Sequence, residues 1–208
     1  MKQQKTLLNA TGIAVLVILC ASLPAAASVL NFDSIATGGT VAQVPAGYGG
    51  FTWDTNAYVT DNTYYDTAYS NTTTFPSAPN ALYNGFGVPT ITISGSPFSF
   101  QGADVATFAD ANSEVGFSST TITIDGYLSS VLVGTASMTL NTDGTFSFLN
   151  ANFADVDTLT LSSSGNGEWW LLDNFTYNGS SATPEPSSIL LMGTGLIALG
   201  AIRKRARK

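Results

Sequence analysis

Between residues 28 and 177 short runs in which apolar side chains take every second position appear repeatedly, Gly, Asn and Asp punctuate them, and no helical period of useful length is present. These three observations predict an all-β fold, an antiparallel β-sandwich with a jelly roll as the favoured variant. In chain order, residues 29–32 and 51–53 read as the first strands, linked through Gly38-Gly39 and residues 45–50. Residues 55–79 carry tyrosines among Thr, Asn, Ser and Asp with little alternation, and read mainly as a long surface loop or paired loops. Ile91 and Ile93 alternate with threonines, Phe98 and Phe100 with serine, Ile122 and Ile124 with threonines, and Met138 and Leu140 with threonine, so each pair marks a strand with one apolar face. Asn141-Thr142-Asp143-Gly144 is a turn signal, predicting a hairpin between residues 138–140 and 146–148. Residues 157–162 and 168–177 give the last two strands, separated by the loop 163–167.

Lys2 and Lys5 precede an apolar stretch at residues 12–23, and Ala25-Ala26-Ala27 offers small side chains before Ser28. This order predicts an N-terminal signal helix in a signal peptide of residues 1–27, cleaved near Ala27. Cys20 lies in that stretch after Leu19, where a lipoprotein signal needs a small residue. It leaves with the signal, so the exported part forms no disulfide.

The remaining body, a single acidic domain over residues 28–182, has an unusual charge inventory. It holds no Lys, Arg, His or Cys, while thirteen of the chain's fourteen acids fall within it, giving about −13 where the whole chain carries −7. Nucleic acid is excluded as a partner, because binding it rests on cationic side chains that neutralise phosphates. Anionic membrane surfaces are excluded for the same reason. Triads, Cys–His pairs, Schiff-base lysines and arginine clamps are all absent, and the body is predicted not to be an enzyme. Glycoside cleavage by two carboxylates survives as the alternative, with no particular pair marked out.

Residues 183–208 form a third segment. Pro184-Glu185-Pro186 precedes an apolar run at 189–202, and Arg203, Lys204, Arg205, Arg207 and Lys208 end the chain. As a helix, that run of 14 residues rises about 21 Å against roughly 30 Å of hydrocarbon, a short and marginal transmembrane helix. The basic cluster would stay cytoplasmic, leaving the body outside. Tripeptide, short helix and basic end in this order resemble the PEP-CTERM sorting signal of Gram-negative bacteria. The resemblance implies a partner, the membrane-embedded cysteine protease exosortase, which recognises the tripeptide and removes the helix. It also implies passage of the protein from an inner-membrane intermediate to the cell surface or exopolysaccharide matrix. An ordinary single-pass anchor is the alternative. Leu30-Asn31-Phe32-Asp33, the stretch 47–53 and the stretch 172–177 also resemble the globular parts of other PEP-CTERM proteins. That looser resemblance implies a jelly-roll-like module similar to carbohydrate-binding modules and transfers no catalytic residue.

Two sets of residues are candidates for binding. Trp53, Tyr58, Tyr64, Tyr65 and Tyr69, set among small polar residues, suit stacking on sugar rings; alternatively they only cover one side of the sandwich. Asp173 shares its strand parity with Trp169, Leu171, Phe175 and Tyr177, a row expected to face the core. A carboxylate there costs several kcal/mol unless compensated, and the body has no cation. A structural Ca2+ held by Asp173 and Asp33 is one solution, since first and last strands of jelly rolls often lie side by side. A bulge where Asp173 accepts amide hydrogen bonds and meets solvent is the other. The expected role is an exported surface or matrix protein, a structural or carbohydrate-binding component of exopolysaccharide or biofilm. A secreted glycoside hydrolase and a calcium-dependent adhesive protein are the alternatives.

Overall fold

The computed structural model describes residues 27–69, 73–108, 118–166 and 168–179. Residues 1–26, the tripeptide Pro184-Glu185-Pro186, the run 189–202 and the basic cluster lie outside them. Among the described residues no helix is long and apolar enough to cross a membrane.

Ten strands form an antiparallel sheet. They are β1 (Ser28–Leu30), β2 (Val41–Gln43), β3 (Thr52–Trp53), β4 (Ala57–Asp61), β5 (Asn80–Asn84), β6 (Thr90–Thr107), β7 (Ser118–Leu128), β8 (Val131–Thr139), β9 (Ser147–Asn166) and β10 (Trp170–Gly179). The order across the sheet is β2-β4-β5-β10-β6-β9-β7-β8, with β1 added to β10 and β3 to β6. The two longest strands, β6 and β9, lie side by side at the centre, and register shifts between Ser94 and Gly102 bend them. Ile91, Ile93, Phe98, Phe100, Ile122 and Ile124 are all buried, as their alternation predicts. With Leu159, Leu161, Trp170 and Phe175 they build one core, each such side chain stabilising by roughly 1.5–3 kcal/mol. Phe51 fastens the N-terminal segment to this core, meeting Phe98, Phe175 and Tyr177 edge-to-face with centroids 4.9, 5.5 and 4.9 Å away.

A second core of Tyr65, Phe75, Ala81, Tyr83, Ala106, Phe108 and Leu171 was not expected from the sequence. It covers the other face of the sheet, which is why all five residues of β5 are buried. It also corrects the parity of the last strand. Trp170 and Leu172 face the first core and Leu171 the second, and the bulge after Asp173, with Asn174 at φ 50°, returns Phe175 to the first core. The predicted single row of Trp169, Leu171, Asp173, Phe175 and Tyr177 is thus split between two faces.

The expected loop at 55–79 is another correction. Ala57 and Val59 alternate inward on β4, and the chain then turns directly into α1 (Asn62–Tyr69), the only helix longer than a single turn among the described residues. The Asp61 carboxylate accepts the amide N–H groups of Thr63 and Tyr64 at 2.9 and 3.2 Å, capping a helix too short to announce itself by periodicity. The turn at Asn141–Gly144 exists, closed by the Gly144 N–H on the Asn141 carbonyl, but its flanks do not pair. β8 pairs instead with β7, through a turn whose Ser129 and Ser130 take φ 50° and 67°, and β9 crosses over to lie between β6 and β7. The expected loop 163–167 is largely strand, since β9 continues to Asn166.

Candidate functional site

Tyr58 on β4 lies directly across from Tyr83 on β5, their ring centroids 6.1 Å apart. Tyr83 in turn stacks on Trp169, 5.8 Å away and 13° from parallel. Immediately after β5, the turn Gly85-Phe86-Gly87 holds Phe86 at φ 62°, the residue 75% exposed and its ring edge-on to Tyr58 at 5.6 Å. The flanking glycines are needed there: a Cβ on Gly85 would meet the Tyr58 ring, and one on Gly87 would meet the Trp169 indole. Buried Asn84 ties these parts together. Its side-chain amide donates to the Val88 and Glu168 carbonyls, both at 2.7 Å, while its Oδ1 accepts the Trp170 N–H at 3.0 Å. The result is a ledge of half-buried rings, Tyr58 and Trp169, projecting one exposed ring, Phe86, from a buried base.

Another of the expected tyrosines borders it: Tyr69 lies 4.8 Å from Phe108, which meets Trp169 at 5.2 Å. Burial drives the Tyr83 phenol far above its usual range, and the neighbouring phenols of Tyr69, Tyr58 and Tyr64 push the same way. Tyr58 packs on Tyr83 itself, and Tyr69 joins it through the same Phe108, whose ring lies 5.9 Å from Tyr83, while Tyr64 is half-buried on α1. The other two candidates are core residues. Tyr65 is fully buried against Phe75 and Phe108, the inward side of α1. Trp53 sits in the first core, its indole N–H donating to the Tyr48 carbonyl at 2.8 Å. The three residues that the sequence reading missed are Tyr83, Phe86 and Trp169. Gly-Phe-Gly at 85–87, a bulky residue between two that free the backbone, was the available signal.

Asp33 and Asp173 are also brought together, β1 lying beside β10 with Leu30 opposite Phe175. Asp173 is fully buried. Its carboxylate accepts the Ser77 N–H at 2.7 Å, the Ser77 hydroxyl at 2.9 Å and the Asn174 N–H at 2.7 Å. Burial pushes its pKa up to about 7, against the pull of those donors, and the nearby Asp33 charge adds to the rise. Asp33 is half-buried and accepts the Asn80 N–H at 3.1 Å. The Asn80 side chain pins the same turn by donating to the Phe32 and Ile35 carbonyls. Compensation for Asp173 thus comes from amides and a hydroxyl at a bulge, although the residue does not reach solvent. Among the described residues no three His, Cys, Asp or Glu side chains converge in a way that could hold a metal ion.

Comparison with known proteins adds one positive finding. Residues 182–206 match the family model described as the PEP-CTERM protein-sorting motif, which spans Pro184-Glu185-Pro186 and the first three residues of the basic cluster. No match was found among the curated proteins or the solved structures. The chain carries a PEP-CTERM sorting motif, that of an exported protein which exosortase processes and sorts to the cell envelope or surface.

Proposed function

We propose that this protein is a non-enzymatic component of the cell surface or extracellular matrix that holds a polysaccharide against the ledge formed by Tyr58, Phe86 and Trp169. The observation that carries this reading is Phe86, an aromatic residue 75% exposed on a turn that two glycines make possible. A lone exposed apolar side chain needs no explanation, but a ring raised at positive φ above other rings matches the apolar C–H face of a pyranose. The hydroxyl of Tyr58, whose ring meets Phe86, supplies a polar contact of the kind that sugar hydroxyls require. A body near −13 with no cationic side chain repels polyanions, so the ligand class is a neutral polysaccharide. We read the fold that presents the ledge as a jelly-roll-like sandwich, which the neighbouring first and last strands support. Residues 1–27 act as the signal peptide, and the apolar run 189–202 holds the protein in the inner membrane until exosortase acts.

Affinity electrophoresis through gels containing neutral or acidic bacterial polysaccharides tests the reading. Retardation by a neutral polymer, lost on Phe86→Ala with the melting temperature unchanged, is the expected result. Equal retardation of the variant would remove the ledge from the account.

A second reading, a structural Ca2+ between Asp33 and Asp173, is favoured by the approach of two carboxylates where no cation is available. Under it a chelator lowers the melting temperature, and an unchanged melting temperature discards it.

A further inference from the structure

We propose that β8 is an assembly edge, through which two copies of this chain join their sheets strand to strand. β8 closes the strand order at one end and pairs with β7 alone. Among the described residues its outward row of N–H and C=O groups therefore meets no further strand. The opposite end of the sheet is β2, only three residues long.

Natural sheets guard long edges with Lys, Pro, inward charges or bulges. The nine residues of β8, Val-Leu-Val-Gly-Thr-Ala-Ser-Met-Thr, contain neither a charge nor a proline, and no lysine lies anywhere between residues 28 and 183. A bulge is present, but it falls opposite the 126–127 step and leaves residues 134–139 in unbroken register with residues 126–121. Beyond it Val131, Leu132 and Val133 are 64, 52 and 50% exposed, a contiguous apolar tip.

The occupant is a second β8. An antiparallel edge is complementary to itself under a two-fold axis perpendicular to the sheet, which keeps each side-chain row on its own face. Centred on Ala136, such an axis sets residue 133 of one copy across from residue 139 of the other. Charge selects this edge over the rest of the surface, because two strongly acidic bodies repel everywhere that acids crowd. The acid nearest the middle of the edge is Asp125, one strand inward, which accepts the Thr135 hydroxyl at 2.6 Å. Across β7-β8-β8-β7 the two Asp125 backbone positions stand three strand spacings apart, about 14 Å, and are further offset along the strands because Asp125 pairs with Thr135 rather than Ala136. That exceeds the Debye length of roughly 8 Å at physiological salt. The ends are less favourable: the Asp143 turn of one copy approaches the Ser129 turn of the other, where Asp157 accepts the Ser129 N–H. Assembly should therefore strengthen with salt. Under the proposed function, a dimer presents two aromatic ledges to one polymer and gains avidity.

Sedimentation equilibrium of the protein as isolated from expressing cells tests the edge, with hydrogen exchange across residues 131–139 as a second readout. The wild type is compared with a V133E/T139E variant, in which the axis sets like charges opposite each other, and with V133K/T139K. Expected are a dimer that tightens between roughly 0.01 and 0.15 M salt, β8 amides that become protected as concentration rises, and at least about tenfold weaker association of V133E/T139E. Mixing the Glu and Lys variants should restore a heterodimer, which a merely misfolded variant could not do. A protein monomeric throughout the micromolar range at the higher salt would overturn the proposal. A dimer indifferent to the Glu variant, unprotected β8 amides, or a mixture that fails to associate would do the same.

Discussion

Ser77 and Asp173, 96 residues apart in sequence, are joined three ways: the Ser77 N–H reaches one carboxylate oxygen at 2.7 Å, and its hydroxyl reaches both at 2.9 Å. The same hydroxyl also lies 3.2 Å from the Asn31 carbonyl. This contact staples the segment before β5 to the bulge of β10, at a depth where an unpaired amide is expensive. Asp173→Ala leaves the Ser77 and Asn174 N–H groups without their acceptor and should cost about 2–4 kcal/mol in denaturant unfolding. Ser77→Ala keeps the amide and should cost about 1 kcal/mol. Equal costs would mean that the hydroxyl, not the amide, carries the contact.

The same carboxyl sets a pH dependence. Its folded pKa is raised to about 7, above an unfolded value near 4. Between those values the folded state holds a proton that the unfolded chain has released, so stability falls as pH rises from about 4 to 7 and levels off beyond. Asp66, also raised by burial, adds in the same direction. Asp173→Asn carries no titrating proton there, so the difference between wild-type and variant melting temperatures should change across that window. Parallel curves would show that Asp173 does not titrate in it.

Asn84 and Phe86 separate fold from surface. Asn84→Ala orphans the Val88 and Glu168 carbonyls and the Trp170 N–H, and should cost about 2–4 kcal/mol and loosen the ledge. Phe86→Ala removes an exposed ring and should leave stability within about 0.5 kcal/mol. Calorimetric unfolding of the two variants checks the contrast, which a comparable loss in both would contradict.

Gly102 lies at the bend of β6 with φ 152°, and a Cβ there would strike the Leu149 carbonyl oxygen and the Phe148 ring. Gly102→Ala should therefore destabilise by about 2–4 kcal/mol. Gly179→Ala, with open space at the Cβ position, serves as the neutral control in the same thermal melts.

Much of the architecture was legible from residues alone because one face of each central strand is apolar. Ile91, Ile93, Ile122 and Ile124 state their inward rows openly. What stayed hidden had physical reasons. The second core buries the opposite face of β5 and β10, so Leu171 and Leu172 follow each other with no alternation to read. Helix α1 is eight residues long and owes its start to Asp61, a residue whose capping role shows only once the chain turns there. The β7–β8 turn uses Ser-Ser at positive φ where Asn-Gly is the recognisable pair. At the candidate site, Tyr58, Tyr64 and Tyr69 were visible as a composition, whereas Tyr83 and Trp169 joined them through strand register that no local pattern encodes.

Intact-mass spectrometry of the protein recovered from the cell surface tests most directly whether the acidic body works outside after both ends are removed. The predicted species begins near Ser28 and ends near the Pro184-Glu185-Pro186 tripeptide, and cells lacking exosortase accumulate a form that keeps the C-terminal run. A predominant surface species still ending in Lys208 would contradict the account.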